Sequence, residues 1–533
     1  MSAPARRRRP AALALCAIAL LAAAPLGVTR AQPRPDEAEL FGEPAPTAAP
    51  NPNLNPNPNL NPNATAAPNA TAAPSDDVRG DELLGERTGP RTTGLISGER
   101  EDWLDLGGLA YLRAATSWTR GTPPSGWAFA APALLDVYLD ARPNDRVRAF
   151  ALGRLQYDPS LGGTRASALA ALLGSRAAAQ PTRGTLDQLW INFDLGRTVF
   201  ITAGKQHVKW GTGRFWNPTD YLHPTRRSPL TQLDERSGVT MVKAHLPWEK
   251  RGWNLYAIAL LEDLSGGLQP DGTITTVDTL GQVGYGGRAE VVLGSVELAV
   301  DGMAQRGHAP RFGVDGSFPL GELDLRFEVA LRKGRDTPRW EPVPGADPAG
   351  GVFDRYRVEQ LKGLTPAAVV GAEWSWQYSD QDALTVGAEY SYDASGYASA
   401  DLYPYLLALP NPNLLPGTPD QRPAFTPFYL ARHYLGLYLY LPAPGRWNDT
   451  TFTLSALGSL SDGSGLVRLD HSVMLNTYLR LETFVAGHVG NQWGEFRFGG
   501  TVRAGAGGAG LPPVSIIVGV PVVDLGVALR VAL

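Results

Sequence analysis

The side chains that could carry chemistry are concentrated in one short stretch that is rich in positive charge. Six basic residues stand there against three acidic ones, namely Lys205, Lys209, Arg214, Arg226, Arg227 and Arg236 against Asp220, Asp234 and Glu235. A ring of basic side chains in a pore is an anion-selective device. The same charges on an external loop would only face water, and the sequence leaves both interpretations open.

Motifs for catalysis or metal binding do not stand out. The seven histidines show no H-x-x-x-H spacing that would suit a metal ion, and neither G-x-S-x-G nor a phosphate-binding loop occurs. Gly505, Gly507 and Gly510 match G-x-G-x-x-G, but in a Gly/Ala-rich stretch with no helix after it, which favours chance. We therefore predict no catalytic residues, no metal and no cofactor.

The composition excludes several classes of protein. Hydrophobic residues make up 43% of the 533 residues, so the chain can bury a large apolar surface. Charged residues make up 19%, below the roughly 25% of typical soluble domains. A net charge of −4 excludes a generally basic, nucleic-acid-coating protein. The single cysteine excludes a disulfide scaffold, a cysteine-ligated zinc site and an iron–sulfur cluster.

The N-terminus has the pattern of a secretory signal peptide. Arg6–Arg9 form a cationic cluster, and the apolar stretch 11–24 that follows is short for a membrane span. Thr29 and Ala31 give a small-x-small cleavage pattern, so we predict a signal peptide over residues 1–31 that is cleaved after Ala31. An uncleaved N-terminal anchor is the alternative. No later apolar run is long enough for a transmembrane helix.

Residues 32–102 have the composition of a tether. Residues 51–74 read NPNLNPNPNLNPNATAAPNATAAP, which offers almost nothing apolar to bury. Proline removes backbone donors and favours extended conformations, so we predict a disordered Asn/Pro/Ala-rich tether. A periplasmic contact through this tether is one interpretation of its role.

From residue 103 to 533 the sequence has the period of two that half-buried strands require. Between Leu323 and Arg332, for example, apolar residues alternate with mostly charged ones. Strands are predicted near residues 104–118, 132–141, 146–157, 185–195, 199–208, 238–246, 253–261, 282–293, 296–306, 311–319, 322–333, 366–378, 383–392, 428–441, 449–460, 466–475, 479–490 and 521–533. A soluble sandwich or propeller would alternate as well, so the connections between strands must decide.

The connections alternate between short and long. Tight gaps such as 142–145 and 294–295 are followed by long ones such as 158–184 and 393–427. Short turns at one end and long loops at the other are typical of outer-membrane barrels. We therefore predict an all-β fold over residues 103–533. It is a closed antiparallel transmembrane β-barrel of about 18 strands, with 16 as the alternative, long extracellular loops and short periplasmic turns.

Aromatic residues lie at both ends of the predicted apolar band. Trp374, Trp376 and Tyr378 share one strand face and approach a short turn, whereas Tyr390 and Tyr392 approach a long loop on the next strand. Two interfacial girdles of a membrane barrel would have this arrangement.

One segment carries a family resemblance. Residues 204–224 read GKQHVKWGTGRFWNPTDYLHP. The pattern set by Gly204, Gln206, Trp210, Gly211, Gly213, Asn217, Pro218 and Asp220 resembles a segment of porin-like outer-membrane barrels of Gram-negative bacteria, most of them uncharacterised. The resemblance covers this segment alone. It implies a barrel in the cell outer membrane, and the analogy with porins implies a homotrimer.

The same resemblance implies a constriction. In porins of about 16–18 strands, the loop between the fifth and sixth strands folds into the lumen. The corresponding segment here is 209–237, and the candidate constriction residues are Lys205, Lys209, Arg214, Arg226, Arg227, Asp234, Glu235 and Arg236. One conflict remains, because Val199, Ile201 and Ala203 share a strand face with Lys205. Either a bulge near Gly204 changes the register, or the basic residues lie above the lipid.

These observations predict a porin-like channel for the passive diffusion of small polar solutes, with anions favoured. Its expected partners are outer-membrane lipid and those solutes, without nucleic acid. A non-conducting structural, assembly or surface-complex protein anchored by the barrel is the first alternative. An enzyme embedded in the barrel is the second, and no residue pattern supports it.

Overall fold

The computed structural model describes residues 103–162, 181–231, 233–264, 277, 279–333, 339–346, 356–359, 363–379, 382–408, 427–504 and 514–533. The predicted signal peptide, its cleavage site after Ala31 and the predicted tether lie outside these residues.

Eighteen long strands follow one another along the described chain. Their bounds are β1 Leu104–Thr119, β2 Ala133–Asn144, β3 Val147–Tyr157, β4 Thr182–Leu195, β5 Val199–Gln206, β6 Val239–Trp248, β7 Trp253–Leu260, β8 Gly284–Leu293, β9 Val296–Ala304, β10 Arg311–Leu320, β11 Leu323–Lys333, β12 Leu364–Gln377, β13 Ala383–Asp393, β14 His433–Pro442, β15 Thr450–Ser459, β16 Ser464–Asn476, β17 Leu479–Gly490 and β18 Pro521–Ala532. A strand is present at each predicted place, and the predicted number of eighteen is confirmed.

The strands close into one antiparallel barrel. Each strand pairs with the next along the chain, and β1 also pairs with β18, from Leu109 opposite Ala532 to Thr119 opposite Pro521. Closure leaves no strand edge without backbone partners, which a sheet surrounded by lipid requires. The connections from even-numbered to odd-numbered strands are short, as at 145–146 and 294–295, so all of them lie at one end of the barrel.

The other elements are short. Ala128–Ala130 pairs with β1, and two small hairpins join Arg339–Pro342 to Tyr356–Glu359 and Gly500–Ala504 to Val514–Val518. The helix α1 covers Tyr403–Ala408. Single helical turns lie at Pro124–Gly126, Pro159–Gly162, Glu249–Arg251, Leu280–Gln282 and Glu495–Arg497. Within the described ranges, no helix is long and apolar enough to cross a bilayer.

The distribution of charged and apolar side chains across the barrel wall is the reverse of that in a soluble protein. On β11, Arg326 and Glu328 are 6% and 0% exposed, whereas Val329 and Leu331 are each 38% exposed. Charged side chains therefore point into the lumen and apolar ones point away from it. A soluble protein would not leave large apolar side chains exposed on the outer face of most of its strands, as this barrel does, so this outer face suits lipid.

The predicted girdle residues lie on this outward face. Trp376, Tyr378 and Tyr390 are 51%, 41% and 39% exposed. The ring centroids of Trp374 and Trp376 lie 6.5 Å apart at the short-turn end of β12. Their outward position is the one that two girdles require, and the girdles themselves stay a prediction.

The orientation of the wall can be tested with neighbouring cysteine substitutions. Val370 is 59% exposed and Val369 is 1% exposed, and Cys16 in the predicted signal peptide is the single natural cysteine. In liposomes, an environment-sensitive dye on Val370→Cys should emit as in an apolar medium and be quenched by a lipid-attached quencher. Val369→Cys should resist labelling until the protein unfolds. Lipid quenching at position 369 and none at 370 would invert the assigned faces.

Candidate functional site

The connection between β5 and β6, described at residues 207–231 and 233–238, lies inside the barrel. Glu235 of this connection forms an ion pair of 2.6 Å with Arg113 of β1. The Tyr221 hydroxyl donates a hydrogen bond to Asp301 of β9. Since β1 and β9 are almost opposite each other in a ring of eighteen strands, the connection crosses the lumen. We call residues 207–238 the inserted loop.

One wall carboxylate binds three consecutive backbone N–H groups of the inserted loop. Glu389 of β13 accepts hydrogen bonds from the N–H of Arg214 at 2.6 Å, Phe215 at 3.0 Å and Trp216 at 2.9 Å. Glu389 is 2% exposed, so these bonds are shielded from water. A carboxylate that accepts several N–H bonds in a buried place makes a strong attachment, and it fixes this part of the loop against β13.

A second wall carboxylate holds the neighbouring part of the loop. Glu328 of β11 accepts hydrogen bonds from the Gly213 N–H and, at 2.8 Å, from the Thr219 hydroxyl. Gly211 has a φ of +94°, and a Cβ at this position would lie 2.6 Å from both carboxylate oxygens of Glu328. Gly211 and Gly213 therefore let the loop backbone lie directly on the Glu328 carboxylate.

Aromatic packing supplies the rest of the attachment. The Trp216 ring stacks on Tyr434 with centroids 5.2 Å apart, and its indole N–H donates to the Phe428 carbonyl at 3.0 Å. Phe215 meets the ring of Tyr438 edge to face at 5.8 Å. The loop also packs against the strands that follow it in the cluster Val208, Trp210, Tyr221, Leu222, Val239, Met241, Ile258, Leu260, Leu264 and Met303. Burial of these rings makes the inserted position the stable one.

The polar residues of the motif shape the loop. The Gln206 amide donates to the Met241 carbonyl at 3.4 Å, where β5 ends and the loop begins. The Asp220 N–H donates to the Asn217 carbonyl at 3.2 Å, which closes a turn around Pro218. The motif therefore describes how this loop is built and attached.

The three acidic residues of the loop are paired. Arg236 lies 2.7 Å from carboxylate oxygens of both Asp220 and Asp234, and Glu235 pairs with Arg113. Although burial raises it, the pKa of Asp234 is held well below its usual range by Arg236. Because the Arg236 side chain is only 10% exposed, it stabilises the loop and does not form an open charged rim.

Arg214 is also enclosed. Its side chain is 2% exposed, and its guanidinium carbon lies 3.7 Å from the ring centroid of Tyr438. It lies 3.7 Å from a carboxylate oxygen of Glu373. This predicted constriction residue attaches the loop to the wall by ionic and cation–π contacts.

Lys205 does not face the lumen. The β4–β5 register runs without interruption from Leu195 opposite Val199 to Leu189 opposite Lys205, so no bulge occurs at Gly204. Leu189 is 52% exposed on the outward face, and Lys205 shares that face and lies 3.4 Å from Glu262. Lys205 therefore lies away from the other candidate constriction residues, and the β4–β5 ladder lacks the bulge that the first sequence alternative requires.

The three remaining basic residues, Lys209, Arg226 and Arg227, line one cleft beside the inserted loop. Arg226 is 44% exposed, and it lies 4.9 Å from the ring centroid of Tyr429 and 3.7 Å from Asp393. The complete lining is His207, Val208, Lys209, Asn217, Asp220, His223, Arg226, Arg227, Asp234, Arg236 and Tyr429. Four basic residues against two acidic ones give this lining a net charge of +2 when the histidines are neutral.

Glu328 and Glu389 were not identified as site residues from the sequence. Both lie on the charged face of alternating strands, which places them in the lumen. Gly213 and Glu328 are 115 positions apart, so nothing in the sequence pattern pairs them. Among the described residues, no group of three or more His, Cys, Asp or Glu side chains could hold a metal ion.

Some solved structures share a low similarity with this chain. No family model matches the chain, and no curated protein matches it. A mutant porin of Rh. blastica is similar at 11% identity, with a TM-score of 0.37 over 81% of this chain and 100% of that one. OccAB1 of Acinetobacter baumannii is similar at 9% identity, with a TM-score of 0.47 over 82% of this chain and 98% of that one. The assignment of a closed barrel rests on the strand ladders themselves.

Proposed function

We propose that the protein is an outer-membrane channel for the passive diffusion of small polar solutes, with a preference for anions. The observation that supports it most is the closed eighteen-stranded barrel whose charged side chains point inward and whose lumen is crossed by the inserted loop. At about 16–18 strands a barrel is wide enough for an aqueous channel. The inserted loop would narrow such a lumen and still leave a passage for small solutes.

The charge of the cleft supports the preference for anions. Of the predicted constriction residues, Arg214 and Arg236 are enclosed in ion pairs, and Lys205 faces outward. Lys209, Arg226 and Arg227 remain along a cleft with a net charge of +2. A positive potential in a narrow, partly dehydrated passage raises the local concentration of anions and lowers that of cations.

Removing Arg226 and Arg227 together should abolish the preference for anions. In planar bilayers with a KCl gradient, the reversal potential of the unmodified protein should indicate chloride preference, and that of Arg226→Ala/Arg227→Ala should move towards zero or reverse. The reason is that the lining then falls from a net charge of +2 to 0. A matched control is Arg197→Ala/Arg446→Ala, which removes two positive charges from turns at the short-turn end.

The outcomes separate the parts of the proposal. An unchanged ion preference in the double variant would remove the role of the cleft and leave the channel. A lumen that stays closed at every voltage would overturn the channel, and the barrel would then be an anchor for a structural or assembly role.

A further inference from the structure

The connection between β17 and β18 begins with a segment that folds back over the loop end of the barrel. We call residues 491–499 the outer segment. The Glu495 N–H donates to Asp462 Oδ2 at 3.0 Å, and the Phe496 N–H donates to Ser464 Oγ at 3.1 Å. Glu495 and Phe496 are each 5% exposed. The outer segment is therefore docked on the β15–β16 connection and the start of β16, where its contacts are shielded from water.

The outer segment shares two partners with the inserted loop. The Tyr434 hydroxyl donates to the Glu495 carboxylate at 2.5 Å, and the Tyr434 ring stacks on Trp216 of the inserted loop. The ring of Phe428 lies 5.3 Å from that of Phe496, and the Phe428 carbonyl accepts the indole N–H of Trp216. Displacement of the outer segment would therefore remove support from both groups that hold Trp216.

His488 of β17 fastens the outer segment through a proton. Its Nδ1 contacts the Phe496 carbonyl oxygen, and its Nε2 lies 2.8 Å from the Asp524 carboxylate of β18. Both partners only accept hydrogen bonds, so both contacts are made when each ring nitrogen carries a hydrogen, that is, when the ring is protonated. The other charged groups around this pair are Arg497 of the outer segment and Arg468 of β16. Loss of the proton leaves one of the two contacts without its hydrogen bond.

Glu495 holds a second proton in the docked position. The titratable groups that face it are Asp462, Tyr434 of β14 and Tyr403 of α1. Burial raises the pKa of Glu495 to about 8, although the hydrogen bond from Tyr434 opposes this rise, and the charge of Asp462 acts in the same direction as burial. In a released segment the pKa would return to its ordinary value of 4.5. Between these two values only the docked form keeps the proton, so docking weakens up to about tenfold for each unit by which the pH rises.

We propose that protons on His488 and Glu495 latch the outer segment, so that the channel conducts less in acid and more as the medium becomes alkaline. The two titrations act in the same direction. A neutral His488 gives up one of its two contacts, and an ionised Glu495 becomes a second buried anion beside Asp462. Release of the outer segment then loosens Trp216, and the inserted loop obstructs the lumen less. The proposal rests on the proposed function, because it describes how passage through the lumen is regulated.

Single-channel conductance in planar bilayers should rise severalfold between about pH 5 and about pH 9. Glu495→Gln keeps a neutral side chain whose oxygen accepts from Tyr434, so its conductance should rise less. In Glu495→Gln/His488→Gln neither side chain titrates, and the conductance should no longer depend on pH. Glu297→Gln is the matched control, since it removes one carboxylate of the β9 wall that is bonded to Ser317, and its pH response should equal that of the unmodified protein. A full pH response in the double variant would overturn the latch.

Hydrogen exchange of the outer segment tests the latch without any current. After correction for the intrinsic effect of pH on exchange, protection of residues 491–499 should fall severalfold between about pH 5 and about pH 9. Protection in Glu495→Gln should fall less, which provides a measurement if the double variant does not fold. A fall in protection with no conductance at any pH would reject the channel and keep the latch. Protection that does not change with pH would overturn the latch and leave the channel.

Discussion

Replacement of Glu389 by alanine should release the inserted loop from β13 and raise the single-channel conductance severalfold. Glu389 accepts the N–H groups of Arg214, Phe215 and Trp216, and its removal would leave three buried donors at a cost of about 1–3 kcal/mol each. The loop can avoid that cost by moving into water in the lumen. Planar-bilayer recordings measure the widening, and trypsin should cleave after Arg214, whose side chain is 2% exposed in the unmodified protein.

Two further variants distinguish this effect from the loss of any lumenal carboxylate. Glu389→Gln keeps one oxygen acceptor but places an amide N–H₂ group opposite a loop N–H, so the loop should be only partly released. Its conductance should therefore lie between that of the unmodified protein and that of Glu389→Ala. Glu297→Ala removes a carboxylate of β9 that is bonded to Ser317 of the neighbouring strand, and it should change neither conductance nor cleavage. Unaltered conductance and resistance to trypsin in Glu389→Ala would show that aromatic packing alone holds the loop.

The barrel could be predicted because barrel strands follow a local rule. Each strand has an apolar outward face and a polar lumen face, so period two persists from β1 to β18, and even the short 3-residue gap Gly196–Thr198 is visible in the sequence. The strand boundaries shift by a few residues where tertiary contacts decide. The predicted fifth strand reaches residue 208, whereas β5 ends at Gln206 because His207 turns to Asp187 at 3.1 Å.

The site could be predicted only in part, because strands of the barrel wall supply many of the partners of the charged loop residues. The segment 205–236 shows six basic residues and three acidic ones, which suggests an open basic rim. The structure adds Arg113, Glu373 and Asp393 from the strands, and they pair with Glu235, Arg214 and Arg226. Charge counting along one segment cannot include partners that the barrel brings from distant strands, so enclosed and open charges look alike in the sequence.

The second large effect is expected from the substitution of a motif glycine, which should lower the stability of the barrel. Gly213→Ala should destabilise the barrel and displace the loop, because the new Cβ would lie 2.1 Å from the Trp216 carbonyl oxygen and 3.0 Å from Glu328 Oε1. A backbone oxygen cannot rotate away as a side chain can, so the loop must shift and give up its bond to Glu328. Overpacking of a buried site costs about 1–3 kcal/mol, and the lost charged hydrogen bond adds to it. The temperature at which the folded barrel unfolds, followed by electrophoresis of samples heated stepwise, should fall clearly.

Two variants separate the steric clash at position 213 from the general effect of replacing glycine by alanine. Gly487→Ala in β17 is the control, since no heavy atom lies within 4 Å of the position of its Cβ, and its unfolding temperature should hardly change. Glu328→Ala combined with Gly213→Ala tests which neighbour matters. Because the closest contact is with the Trp216 carbonyl, removal of the Glu328 side chain should not restore stability. Recovery in that double variant would instead assign the clash to the carboxylate, and Gly213 would then be required by Glu328 alone.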